Sequence, residues 1–186
     1  VMKVELTPAI ILHHRDYRET SFLLDVFSRE YGRLSLIAKG AKRNRKQQGI
    51  NFSLYQPYLM SWVIKSELGT LTDIETEGAG RILGSEQAMA GFYMNEVILR
   101  LLHKHEPHPE LYDAYDRALS QLSLVKTEAT VLRYFEKSLL QSLGYGLVLD
   151  CEVDNGQAVS DDKVYYYHLD LGPSLAAKNS KTAIAG

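Results

Sequence analysis

Residues 21–40 read "SFLLDVFSREYGRLSLIAKG". The first eight are rich in β-formers. From Arg33 the chain alternates, with Leu34, Leu36 and Ala38 on one side and Ser35, Ile37 and Lys39 on the other, the period of two expected of a strand. Gly32 lies between the two runs within "REYGR", so the spacing predicts a hairpin. Upstream, "ELTPAIILHH" (5–14) is an extended run interrupted by Pro8. Downstream, "YLMSWVIK" (58–65) and "GTLTDIET" (69–76) repeat the strand pattern around a turn at Gly69. Five short strands with no long helix between them predict a small antiparallel barrel over residues 1–80.

Beyond "EGAGRILG" (77–84) the period changes to 3.6. Met94, Val97, Ile98, Leu101 and Leu102 trace one helical face. Leu111, Tyr115, Ala118 and Leu122 trace a second, with Pro109 suited to its first turn. Leu132, Phe135, Leu139 and Leu143 trace a third, starting near Thr127 as N-cap and stopping at Gly144. The expectation is an α+β protein of two domains, a barrel followed by an all-helical domain over 81–186. The clustered glycines 78, 80 and 84 mark the join. They are not a dinucleotide fingerprint, because the spacing differs and no βαβ unit surrounds them. After Tyr145 the pattern reads as a turn-rich excursion with a short strand at "KVYYYHL" (163–169).

The composition of the 186 residues, 45% hydrophobic and 24% charged, is that of a soluble globular protein. No apolar run reaches membrane-spanning length and no secretory leader is visible, so the expected location is cytoplasmic and the expectation includes no membrane partner. The net charge of -2 hides a division: residues 1–50 hold ten Lys/Arg against five Asp/Glu, whereas residues 51–186 hold eleven against eighteen. An anionic partner is therefore expected at the N-terminal part. Lys39, Lys42, Arg43, Arg45 and Lys46 form a basic run with no carboxylate among them, and Arg15, Arg18 and Arg33, near turns, widen the patch. Cations that follow phosphates and aromatics that stack on bases, here Phe52 and Tyr55 nearby, point to single-stranded nucleic acid. Taken singly, however, the aromatics are better explained as barrel filling.

Other groupings carry less chemistry. His103, His105 and His108 with Glu106 and Glu110 suggest a metal, but two histidines two apart do not share a helical face and Pro107 and Pro109 mark a turn. No nucleophile elbow or calcium loop is present, so no enzyme and no cofactor are expected. Cys151 alone makes neither an internal disulfide nor a zinc site of several thiolates. Arg133 sits on a helical wheel beside Leu140 and Glu136. It could clamp a peptide carboxylate, although spacing alone favours a surface pair with Glu136.

The segment "RDYRETSFLLDVFSREYGRLSLIAKGAKR" (15–43), with "ELGTLTDIE", "FYMNEVILRLL" and "LRYFEKSLLQSLGYG" following in order, closely resembles the bacterial RecO family of DNA repair and recombination mediators. The resemblance covers most of residues 4–150. It implies an oligonucleotide-binding (OB-fold) barrel followed by a helical domain, nonspecific binding of single- and double-stranded DNA, and annealing of complementary strands. It also implies contact with the acidic C-terminal tail of SSB, and joint action with RecR that loads RecA, in the cytoplasm at the nucleoid. By the same resemblance Arg33, Lys39, Lys42 and Arg43 fall on a basic strand end, and Arg133, with Leu140 beside it, falls where an SSB-tail arginine is placed. Some relatives hold zinc with four cysteines after this helix. Here Cys151 occupies the first such position but Asp154 and Asn155 stand where a second is expected, so zinc is expected to be absent. "YQPY" (55–58) replaces the family's "LQPF", and further C-terminal helices are expected beyond this chain. From a different class, an RNA-binding barrel protein of translation or RNA metabolism fits the same patch, with preference for the 2′-hydroxyl as the distinguishing property. A scaffold whose basic loop grips an acidic tail, without binding nucleic acid, is the third reading.

Overall fold

The computed structural model describes residues 1–42, 52–124, 128–169, 171–176 and 184–185. Its first unit spans Val1–Ser138 and its second Leu139–Gly186.

Five strands open the chain: β1 Met2–Tyr17, β2 Ser21–Ser28, β3 Gly32–Ala38, β4 Pro57–Ile64 and β5 Gly69–Thr76. The 16 residues of β1 serve two neighbours, Met2 to Ile10 pairing with β4 and Ala9 to Tyr17 with β2. Register shifts between Val4 and Thr7 and between Ile11 and His13 bend it for both tasks, as bulges do. A short parallel contact, Leu36 with Gly69 and Ile37 with Thr70, joins β3 to β5. The sheet thus closes on itself in the order β1-β2-β3-β5-β4. The β2–β3 hairpin forms as its sequence predicts, with Ser28 opposite Gly32. Leu34, Leu36 and Ala38 point into the core beside Leu24, Met60 and Trp62.

Three helices follow: α1 Ser85–Leu101, α2 Pro109–Leu122 and α3 Ala129–Ser142. Pro109 opens α2 as expected, its missing N–H being one that a first turn leaves unpaired anyway. Thr127, the expected cap of α3, lies outside the described residues. The buried stripe of α3 is Val131, Phe135 and Leu139. Leu132 and Leu143 are only partly covered, a rotation of the stripe by about one position.

Within the first unit, the helices pack on the closed sheet through a polar and aromatic seam. The bulge leaves the Leu12 carbonyl outside the ladder, and Asn95 on α1 donates its amide to it at 2.8 Å. Tyr115 of α2 donates its hydroxyl to the Asn95 side-chain oxygen. All three residues are buried, so each polar group needs a partner. Phe27 of β2 meets the rings of Tyr112 and Tyr115 at 5.5 and 6.2 Å, and Tyr115 continues to Phe135 on α3. Arg29 grips Asp113 through two hydrogen bonds of 2.8 and 3.0 Å. Arg81, in the connection between sheet and helices, reaches Asp116 at 2.7 Å and the Tyr55 carbonyl at 3.1 Å.

The second unit corrects the expectation of an all-helical C-terminal part. The end of α3 is followed by Gly144 at φ +83°, where Gly144 N–H donates to the Gln141 carbonyl and Tyr145 N–H to that of Leu140, the pairing by which a left-handed residue stops a helix. A three-stranded sheet then forms from β6 Val164–His168, β7 Gly172–Leu175 and β8 Ile184–Ala185, in the order β7-β6-β8. Val164, Tyr165, Tyr166 and Tyr167 explain this locally, being β-branched and aromatic residues suited to a pleated surface. One strand was legible at that place; its two partners, short and separated by turns, were not. Among the described residues no helix is long and apolar enough to cross a membrane.

Candidate nucleic-acid interface

Four of the expected DNA-binding residues meet at one end of the closed sheet. Asp16, Phe22 and Ala38 lie side by side on β1, β2 and β3, as do Arg15, Leu23 and Ile37. Two strand spacings of about 4.8 Å therefore separate the last residues of β1 from the last of β3, and Lys39 leaves β3 about 10 Å from Asp16. Arg15, Arg18 and Lys39 are exposed. Lys42 folds back on the β1–β2 turn: its N–H donates to the Thr20 carbonyl at 3.1 Å and its ammonium to the Arg18 carbonyl at 3.3 Å. The same ammonium pairs with Asp16 at 3.0 Å and lies 5.5 Å from the centre of the Phe22 ring. Asp16 and Glu19, both exposed, stand among these cations at the β1–β2 turn. Arg43, Arg45 and Lys46 lie outside the described residues.

Arg33 is placed elsewhere. It is the second residue of β3 and Lys39 follows the strand's end, six residues or about 20 Å further along. Its guanidinium Nε donates to the Leu102 carbonyl at 3.1 Å, and its own carbonyl accepts the N–H of His105 at 2.9 Å. Next to it, Gly32 at φ +67° lies so close to the α1–α2 turn that a Cβ would stand 2.0 Å from the Glu106 carbonyl oxygen. The segment "HKHEPHPE" is thus the clasp of helices on sheet. Among the described residues no cluster of His, Cys, Asp and Glu could hold a metal.

Both aromatics are buried, Phe52 in the core of the closed sheet and Tyr55 against α1. Phe52 is buried and meets Phe22 edge-on at 5.6 Å. Tyr55 donates its hydroxyl to the Ala88 carbonyl at 3.1 Å, and burial pushes its pKa up to about 12. Sequence reading passed over Tyr17. It ends β1 half-buried among the cations, with the Arg18 guanidinium 5.3 Å from its ring centre. Its signal was present in the alternation, since Arg15 and Tyr17 are two residues apart and share a strand face.

On the helices, Arg133 is exposed and bonded to Glu136, which also accepts the Tyr93 hydroxyl at 2.8 Å. Leu140 is half-buried, and its carbonyl is taken by the helix-stop hydrogen bond. Another flank of α3 borders a groove of about 270 Å³ shared with α2, floored by Ala118, Val131 and Phe135 and rimmed by Arg117, Gln121 and Tyr134. Arg117 was missed because it stands alone on a polar face, and only the α2–α3 packing gives it an apolar neighbour.

In the second unit, Asn155 donates its amide to Glu152 at 2.8 Å, and Lys163 and the Tyr165 hydroxyl reach the other carboxylate oxygen at 3.3 and 3.2 Å. The Asn155 hydrogen bond, followed by Lys163, holds the Glu152 carboxyl below its ordinary range. Cys151 bridges by backbone to Ala158 and its thiol is free.

A closed five-stranded sheet with cations at one end, clasped to a helical bundle, defines a β-plus-helical class of protein whose exposed charge suits a polyanion. The family described as "Recombination protein O N terminal" matches residues 2–79, and that described as "Recombination protein O C terminal" matches residues 85–184. A DNA repair protein RecO of Methylococcus capsulatus is 42% identical over 184 residues, covering 99% of this chain and 76% of the relative. Another, from Nitrosospira multiformis, is 40% identical over 176 residues, covering 95% and 73%. The chain belongs to the RecO family, an assignment that supports a role in DNA repair and recombination.

Proposed function

We propose that this chain is a non-enzymatic recombination mediator whose closed sheet is an OB-fold barrel that binds single- and double-stranded DNA without sequence preference. On this reading residues 1–80 form the DNA-binding domain and residues 81–186 the partner-binding one. The observation that carries it is the gathering of Arg15, Arg18, Lys39 and Lys42 at one end of the sheet, immediately before Arg43, Arg45 and Lys46 in the sequence. Phosphates held there release counterions, and the repulsion between two strands falls enough for base pairing to drive annealing. Protein action is confined to proximity and charge neutralisation, and no bond is broken.

The helical part docks the acidic tail of SSB, bringing the protein to coated DNA. Arg133, exposed on α3, clamps a carboxylate and Leu140 offers apolar surface. The groove beside Arg117 offers a further seat for an apolar side chain. RecR joins the protein on DNA, and RecA is loaded through that complex in the cytoplasm. Fluorescence anisotropy with a labelled oligonucleotide at two salt concentrations tests the DNA arm. Binding that weakens steeply with salt is expected, and no binding at the lower salt refutes it.

A further inference from the structure

We propose that Tyr17, backed by Arg18, is a stacking platform for one unpaired base of the bound strand, which makes the cationic end selective for single-stranded over duplex DNA. The inference rests on the DNA-binding reading above and adds to it which groups of the nucleic acid are touched.

Binding through phosphates alone requires only cations, and any polyanion of the right spacing satisfies it. A preference for single strands requires a surface that rewards an unstacked base, usually an aromatic ring beside the cations. Phe22 and Phe52 cannot serve, because both are buried and meet edge-on at 5.6 Å. Tyr55 is buried and tied to Ala88, and Tyr58 lies in the sheet interior. Tyr17 is different. It ends β1 half-buried, and among the described residues it shares no ring pair with another aromatic.

Its surroundings are those of a base-binding face. Arg15 lies two residues earlier on the same side of β1, opposite Leu23, which in turn lies opposite Ile37. Along this row of the sheet Leu23 is buried and Ile37 partly covered, so the exposed groups beside the Tyr17 ring are the cations, Arg15 and Arg18. Lys39 lies just past the end of β3 at the same end of the sheet. The Arg18 guanidinium lies over one face of the Tyr17 ring, 5.3 Å from its centre, which leaves the opposite face for a base. Arg18 holds φ at 55°, a left-handed conformation uncommon for a residue with a side chain. Base on ring and phosphate on Arg15 or Lys39 is a combination that a duplex, whose bases stack on one another, is unable to use.

The test compares a labelled oligothymidylate, an abasic phosphodiester of equal length and charge, and a duplex, each titrated against the full chain by anisotropy. The intact protein is expected to bind oligothymidylate more tightly than the abasic strand. Tyr17→Ala should weaken oligothymidylate binding by about five- to 150-fold, the range of one lost base stack. It should leave the abasic strand and the duplex unchanged. Tyr17→Phe, which keeps the ring, should restore oligothymidylate binding. Equal affinity of the intact protein for oligothymidylate and the abasic strand overturns the platform while the DNA-binding reading stands, and this arm depends on no variant. Equal oligothymidylate binding by Tyr17→Ala and the intact protein also overturns it. Failure of the intact protein to bind any of the three removes the underlying reading, and the platform with it.

Discussion

Replacing Asp16 with asparagine should make the protein bind DNA more tightly. In the free protein the Asp16 carboxylate holds the Lys42 ammonium at 3.0 Å, with side-chain exposures of 75% and 25%. A phosphate must compete with that carboxylate for the same cation. Ion pairs this exposed contribute about 0–1 kcal/mol, so releasing Lys42 adds at most about 1 kcal/mol to DNA binding, roughly fivefold in affinity. One further phosphate neutralised also steepens the plot of log affinity against log salt by about 0.7 to 0.9. The assay is anisotropy with a labelled oligonucleotide between 50 and 200 mM salt, the span over which such slopes are readily measured. Lys42→Ala supplies the control: in that background Asp16→Asn should lose its effect, because the cation it frees is gone. An Asp16→Asn protein with unchanged affinity and slope would refute the reasoning. So would an equal gain in the Lys42→Ala background, which would show a general loss of repulsion.

Asn95→Ala should destabilise the first unit by about 2–6 kcal/mol in urea unfolding, because the buried Leu12 carbonyl and Tyr115 hydroxyl each lose a partner worth about 1–3 kcal/mol; a loss under about 1 kcal/mol counts against the seam. Asp113 is held below its ordinary carboxyl value of 3.8 chiefly by the Arg29 hydrogen bond. Its contribution is thus fully present above that value and is lost as pH falls through the lowered folded one. The melting difference between the parent and Asp113→Asn should hold steady near neutrality and shrink below pH 3.8, and a difference unchanged at lower pH argues against the fork. Arg133→Ala should weaken an SSB-tail peptide by about tenfold, the scale of one charged hydrogen bond, and spare DNA affinity; equal peptide binding by both proteins removes the clamp. Glu152→Ala leaves Lys163, Asn155 and the Tyr165 hydroxyl without their shared acceptor. Residues 150–165 should then be cut faster by protease, as followed by mass spectrometry, and unchanged cutting shows that the loop is held in another way.

Local rules sufficed where local forces decide. The alternation of β3, Pro109 at the start of α2 and Gly144 at the end of α3 are set by neighbours a few residues away, and each was legible. The bend in β1 was not, because nothing in "AIILHH" distinguishes a straight strand from one whose Leu12 carbonyl is claimed by Asn95, 83 residues on. Arg33 reads as one more cation near a turn. Its assignment to the clasp depends on Leu102, 69 positions away. Likewise, Tyr55 beside a basic run looks available to a ligand, and only the arrival of α1 covers it. The positions of the cationic residues follow from strand ends and were within reach. Which of them are already engaged, as Lys42 is by Asp16, depends on side-chain geometry that spacing does not encode.

The tight approach of Gly32 to Glu106 matters for how genetic results from this protein are interpreted. A screen for alleles that abolish repair would recover changes at Gly32 or Arg33 as readily as losses of true ligand contacts, since both positions secure the join between the two halves of the first unit. Such alleles would mimic a DNA-contact defect while reporting misassembly, and protein abundance in the cell, measured beside the phenotype, would tell the two kinds apart.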